Sequence, residues 1–110
     1  MKNIPCNDQP GCLNAAAQVL GDKWTPLLVR ILASGPTRFC RLQDEVGGVN
    51  PRTLSARLST LEKEGIITKR VYPEVPARVE YSLTKKGGDL LPILHNMAEW
   101  SEKYQLVSPK

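Results

Sequence analysis

The stretch from Asn50 to Leu83 constrains the fold more than any other part of the chain. Asn50-Pro51 marks a helix start: an Asn side chain offers an acceptor to the unpaired first-turn N–H groups, and Pro is preset for the first helical position. Leu54, Leu58 and Leu61 then recur at i, i+4 and i+7, giving one apolar stripe that runs to Glu64. Gly65 suits the left-handed residue that closes such a helix. Directly afterwards the apolar period shortens to two. Ile66–Tyr72 and Val79–Leu83 are β-branched and alternating, with Pro73-Glu74-Val75-Pro76-Ala77-Arg78 between them. That tip is too long for a two-residue turn and is stiffened by two prolines, so a long hairpin is expected. A capped helix feeding straight into a hairpin leaves few architectures open.

The rest of the chain fits around this unit. Leu13, Ala16, Ala17 and Leu20 recur at helical spacing up to Gly21, and Thr25-Pro26 predicts a second helix with Thr25 as its N-cap. Leu27, Leu28, Ile31 and Leu32 give that helix a wide apolar face, and Ser34-Gly35-Pro36 ends it. Trp24, between the two helices, fills core or a subunit contact. Thr37-Arg38-Phe39 reads as a short strand, and Arg41–Val46 as a short helix broken by Gly47-Gly48. Thr84 is expected to cap a last helix running to about Tyr104. Pro92 within it must either bend the helix or mark its true start. The resulting order predicts a mainly helical α+β fold: a winged helix-turn-helix with extra N- and C-terminal helices. Residues 12–104 form that domain, 1–11 a flexible N-terminal arm and 105–110 a tail.

In such a unit the second helix of the pair enters the DNA major groove. On a helical wheel the side of the Asn50–Glu64 helix away from its leucines shows Arg52, Ser55, Ala56, Ser59 and Lys63, with Thr53 and Thr60 at the edges. Small residues permit close approach, Arg52 can fork onto guanine, and hydroxyls can bond bases or phosphates. The bland alternative is a solvated amphipathic helix. Arg57 lies beside the leucine stripe, where it either reaches DNA or pairs internally. Arg78 at the hairpin tip is a candidate for phosphate or the minor groove, and Arg38 and Lys23 are further phosphate candidates.

Charge agrees with a polyanionic partner. The 110 residues carry 15 Lys+Arg and 11 Asp+Glu, a net +4, and residues 38–86 hold that whole excess. One histidine and three cysteines, with no C-x-x-C pair, give no metal-ligand spacing, and no cofactor motif is present. The same absences, with no Gly-rich phosphate loop and no Ser nucleophile elbow, weigh against an enzyme. No apolar run approaches a membrane span and the N-terminus has no secretory pattern, so a cytoplasmic protein without membrane contact is expected. Finally, Leu90, Leu94, Met97 and Trp100 on the last helix expose more apolar surface than a small domain can cover. With Leu13 and Ala16 of the first helix they are expected to form a homodimer contact; the alternative is that the face folds back onto the core.

These residues resemble a known family. Gly21-Asp22-Lys23-Trp24-Thr25, Gly35-Pro36-Thr37-Arg38-Phe39, Asn50-Pro51-Arg52-Thr53-Leu54-Ser55-Ala56-Arg57-Leu58 and the wing from Val71 to Thr84 are similar to the HxlR-type bacterial regulators. The resemblance spans residues 12–102. It implies a homodimeric transcription factor acting on a pseudo-palindromic double-stranded DNA operator, with the first and last helices making the dimer. Some members of that family sense electrophiles or oxidants through a cysteine just before the first helix. Cys12 falls nearest that position, and Cys6 lies further out on the arm. The alternative for both is an inert thiol in a reducing compartment. The alternative for the whole chain is a winged-helix protein-interaction module without DNA binding. A surplus of acid on residues 52–63 would favour that module, whereas the stretch carries Arg52, Arg57 and Lys63 against Glu62.

Overall fold

A computed structural model of the chain describes residues 10–106. Cys6 and most of the expected arm and tail lie outside the described residues. The elements are α1 (Pro10–Leu20), α2 (Thr25–Leu32), β1 (Thr37–Arg38), α3 (Phe39–Val46), α4 (Pro51–Lys63), β2 (Ile67–Tyr72), β3 (Arg78–Leu83), α5 (Lys85–Gly88) and α6 (Leu91–Lys103). Pro10 and Gly11, expected in the arm, are already the first turn of α1.

The core is one cluster to which nearly every element contributes. Leu28, Val29 and Leu32 of α2, Leu42 of α3 and Leu54, Leu58 and Leu61 of α4 are buried together with Val49, Ile66, Ile67, Tyr81 and Leu94. Each fully buried aliphatic side chain contributes about 1.5–3 kcal/mol, so the i, i+4, i+7 leucines of α4 hold it firmly against α2 and α3. Gly65, with φ of 78°, ends α4, and the N–H of Ile66 donates to the carbonyl of Leu61 (2.9 Å). This closing turn aims the chain into β2.

β2 and β3 pair antiparallel from Ile67↔Leu83 to Tyr72↔Arg78, leaving 73–77 as the wing tip. β1 pairs with the other edge of β3, so the sheet has three strands in the order β1-β3-β2. The expected short strand is therefore the third strand of the wing sheet, and it stops at Arg38 because Phe39 already begins α3.

Two helix starts differ from expectation. Thr25 is not the N-cap of α2 but lies in its first turn, fully buried. Asp22 does the capping: its carboxylate accepts from the backbone N–H of Trp24 and of Thr25 (2.8 Å each) and from the Thr25 hydroxyl. The single final helix is instead two. Thr84 caps the one-turn α5, accepting from Gly87 N–H (3.1 Å), and α6 starts afresh at Leu91 with Pro92 in its first turn. Pro92 marks a start and bends nothing, since a first-turn proline forgoes only an N–H that had no partner.

Candidate nucleic-acid interface

The helix-turn-helix pair is α3 and α4, with Gly47 and Gly48 at positive φ turning the chain between them. Asn50 is the N-cap of α4, its Oδ1 accepting from the N–H of Arg52 at 2.8 Å. The first turn holds no acid, so the partial positive charge of the helix start and the Arg52 guanidinium act together on any approaching anion. The leucine stripe faces the core, and Asn50, Pro51, Arg52, Thr53, Ser55, Ala56 and Ser59 are all exposed. The helix thus presents a surface of short side chains with one long cation at its N-terminal end. Among the described residues no carboxylate pairs with Arg52, leaving its five N–H donors available.

Lys23 is exposed just before α2, its Nζ 4.8 Å from the ring centroid of Trp24. Arg38 is exposed at the N-cap of α3, in register opposite Glu80.

Two other cations are paired within the fold. Arg57 is half-buried on the flank of α4, with Nη1 3.2 Å from Oδ2 of Asp22. This is the internal pairing that was one of its two expected fates. Arg78 is built into the wing rather than extended from it. Its Nη2 lies 3.1 Å from Oε2 of Glu74, its Nε lies 3.8 Å from Oε2 of Glu80, and the guanidinium rests 3.9 Å from the Tyr72 ring centroid. Tyr72 also carries Arg70, at 5.2 Å. The wing tip thereby spends its nearest cation on two carboxylates and an aromatic face. Arg70 and Lys69 remain exposed along β2.

The expected dimer residues divide the same way. Leu94 is only 8% exposed and belongs to the core, and Leu90 is half-buried against it. They face inward because they share one side of the helix, four residues apart, while Met97 and Trp100 are turned progressively away from it. Leu13, Ala16, Met97 and Trp100 are exposed, Leu13 by 72% and Trp100 by 60%. Ile93, Asn96, Met97, Trp100 and Ser101 line a largely apolar cleft of about 510 Å³ on α6. Cys12 is half-buried on α1, and Cys40 is exposed in the first turn of α3. Among the described residues no cluster of three or more His, Cys, Asp or Glu could hold a metal, and no helix is long and apolar enough to cross a membrane.

The residue that sequence reasoning missed is Asp22. Burial pushes its carboxyl up, but bonds from the Thr25 hydroxyl, from the N–H groups of Thr25 and Trp24, and the charge of Arg57 outweigh that and hold it below the ordinary 3.8. A signal was available: an Asp three residues before Thr25-Pro26 is placed to cap the helix from outside.

Comparison with known proteins converges on one family. The HxlR-like helix-turn-helix family profile matches residues 19–108. An uncharacterised HTH-type transcriptional regulator of Halalkalibacterium halodurans is 43% identical over 88 residues, 79% of this chain and 78% of its own. The HTH-type transcriptional regulator YodB of Bacillus subtilis is 32% identical over 92 residues, 84% of this chain and 82% of its own. Among solved structures, the reduced form of YodB superposes with a TM-score of 0.76 at 32% identity, covering 86% of this chain and 92% of that one. The redox regulator HypR in its oxidised form gives 0.78 at 36% identity, covering 83% and 94%. YodB has also been solved after diamide treatment. These relatives are transcriptional regulators, as expected here in preference to an enzyme. With a helix-turn-helix pair, a three-stranded wing and a matched profile over most of its length, the chain belongs to the HxlR-like helix-turn-helix family.

Proposed function

We propose that this chain is a cytoplasmic, sequence-specific transcriptional regulator. As a homodimer it binds a pseudo-palindromic double-stranded DNA operator, with the N-terminal half of α4 in the major groove. The observation that carries this reading is the outer face of α4: small and hydroxylated, uncrowded by acid through its first turns, and led by Arg52, which pairs with no carboxylate among the described residues. A helix of that profile approaches base edges closely, and Arg52 supplies the fork that matches guanine O6 and N7. Asn50, Pro51, Thr53, Ser55, Ala56 and Ser59 complete the contact surface, while the exposed Lys23 before α2 and Arg38 before α3 serve as phosphate contacts. Dimerisation is supported by the exposed apolar residues of α1 and α6, with Leu13, Ala16, Met97 and Trp100 as its contacts.

The same reading extends to thiol chemistry. YodB and HypR, one solved after diamide treatment and the other named a redox regulator, supply the precedent. Cys12 lies on α1 beside the proposed dimer contacts, which supports a reading in which its oxidation disturbs the dimer. Cys6 is the second candidate. Nuclease footprinting on DNA from upstream of the gene, with and without diamide, tests both parts. Protection of two half-sites one helical turn, or a multiple of it, apart is expected. Diamide should release the wild type and spare Cys12→Ser. A footprint without paired half-sites refutes the dimeric operator, and a Cys12→Ser variant still released by diamide clears Cys12.

A further inference from the structure

We infer that Arg57 is a positioning residue: pinned to Asp22, it fixes the rotation of the DNA-reading helix α4 and makes no contact with DNA itself. The inference rests on the proposed function, because it gives Arg57 a role in how α4 meets the groove. The leucine stripe anchors α4 along one line, and a fixed point off that line adds a direct constraint on its rotation. Arg57 lies on the flank of that stripe, three residues beyond Leu54 and one before Leu58. Its partner is well fixed. Asp22 is tied to the start of α2 by the N–H groups of Trp24 and Thr25 and by the hydroxyl of the fully buried Thr25.

Among the described residues the Arg57–Asp22 contact is the one ion pair that joins α4 to another part of the fold. Packing from α1 does not replace it on that side. A cleft of about 360 Å³ lies there, lined by Ala15, Gln18 and Val19 of α1 and by Arg57, Thr60 and Glu64 on α4 and its C-terminal end. The lever is short but sufficient. Side-chain tips ride about 5–6 Å from a helix axis, so a roll of about 10° moves them by about 1 Å, beyond the tolerance of a positioned hydrogen bond. A loosened pin would therefore cost base recognition at Arg52 more than it costs attraction to phosphate.

A double-mutant cycle separates this role from a phosphate contact. D22N keeps an oxygen for the Trp24 and Thr25 N–H groups while removing the charge that holds Arg57, and R57Q removes the other half. The full chain, each variant and the D22N/R57Q double variant are titrated against the footprinted upstream duplex and a scrambled one at several salt concentrations. Each single variant should weaken operator binding about tenfold, and the double no more than either alone. Scrambled-duplex affinity and the slope of log affinity against log salt should stay as in the wild type. A slope reduced by about one per Arg57, with D22N binding as tightly as or more tightly than wild type, overturns the proposal in favour of a phosphate contact. Amide hydrogen exchange along 51–58, measured without DNA, should quicken in both single variants while β2 and β3 are unchanged. If the wild type itself shows no preference for the upstream duplex, the proposed function fails. Unchanged exchange along α4 in both variants would separately overturn the pin.

Discussion

Gly87 and Gly88 are neighbours in one short helix, yet alanine should act oppositely at the two. A Cβ on Gly87 would fall on the carbonyl oxygen of Ile66, well inside contact distance, and 3.0 Å from Cδ2 of Leu83. That carbonyl is not free to move. It accepts from the N–H of Thr84 (3.0 Å), whose hydroxyl donates to the adjoining Gly65 carbonyl (2.5 Å) and caps α5 at Gly87 N–H. Forcing α5 away from β2 costs about 1–3 kcal/mol of overpacking and about 1 kcal/mol for each weakened bond. The greater helix preference of alanine returns about 1 kcal/mol. Gly87→Ala should therefore lose about 1–3 kcal/mol net. At Gly88 nothing lies within 4 Å of an added Cβ, so Gly88→Ala should gain about 0.5–1 kcal/mol. For a domain of this size the expected Tm shifts are about 5–15 °C down and a few degrees up, read by circular dichroism at one fixed protein concentration. If Gly87→Ala melted at or above the wild type, α5 would not be seated on Ile66, and the close approach that joins the wing to α6 would be wrong.

Other expected outcomes concern the interface and its supports. Asn50→Ala removes the acceptor for Arg52 N–H and should cost about 1 kcal/mol in urea unfolding, with the start of α4 fraying first in hydrogen exchange. Arg78→Ala strips Glu74 and Glu80 of their cation and Tyr72 of its stacked guanidinium. It should lower stability by about 1 kcal/mol but leave the salt dependence of DNA binding unchanged, whereas a slope reduced by about one would return Arg78 to the phosphate contacts. Asp22 is held below its ordinary value of 3.8, so its ionised form stabilises the native state at neutral pH. That contribution fades as pH falls from 3.8 through the lower native value. Urea midpoints of wild type and D22N should differ at pH 7 and converge in acid. A gap that stayed constant down to pH 2 would show that ionised Asp22 does not stabilise the fold.

What could be read from the sequence was what depends on local chemistry. Asn50-Pro51 and Gly65 bound α4 because caps and stops act within a few residues of themselves, and the change from a three-to-four to a two-residue period marked the hairpin. Leu54, Leu58 and Leu61 could be assigned to the core from spacing alone. Partners fixed by tertiary approach were hidden. Nothing local says that Thr37-Arg38 completes a sheet with β3 more than 40 residues later, or that Asp22 reaches Arg57 across 35. Glu74, Arg78 and Glu80 are close in sequence, but only the hairpin's register folds two carboxylates back onto one guanidinium. Leu90 and Leu94 share an apolar helix with Met97 and Trp100, and spacing alone does not say which part of so broad a face meets the core and which stays exposed.

The exposed N-terminal face of α4 is proposed to read base sequence. The most direct test is fluorescence anisotropy with duplex DNA from the gene's own upstream region and a scrambled control, comparing wild type with Arg52→Ala across salt concentrations. The wild type should prefer the native duplex. Arg52→Ala should lose about 1–3 kcal/mol on that duplex and little on the scrambled one, relaxing the preference at one operator position. Equal losses on both duplexes, or an unchanged preference, would contradict base reading by this helix.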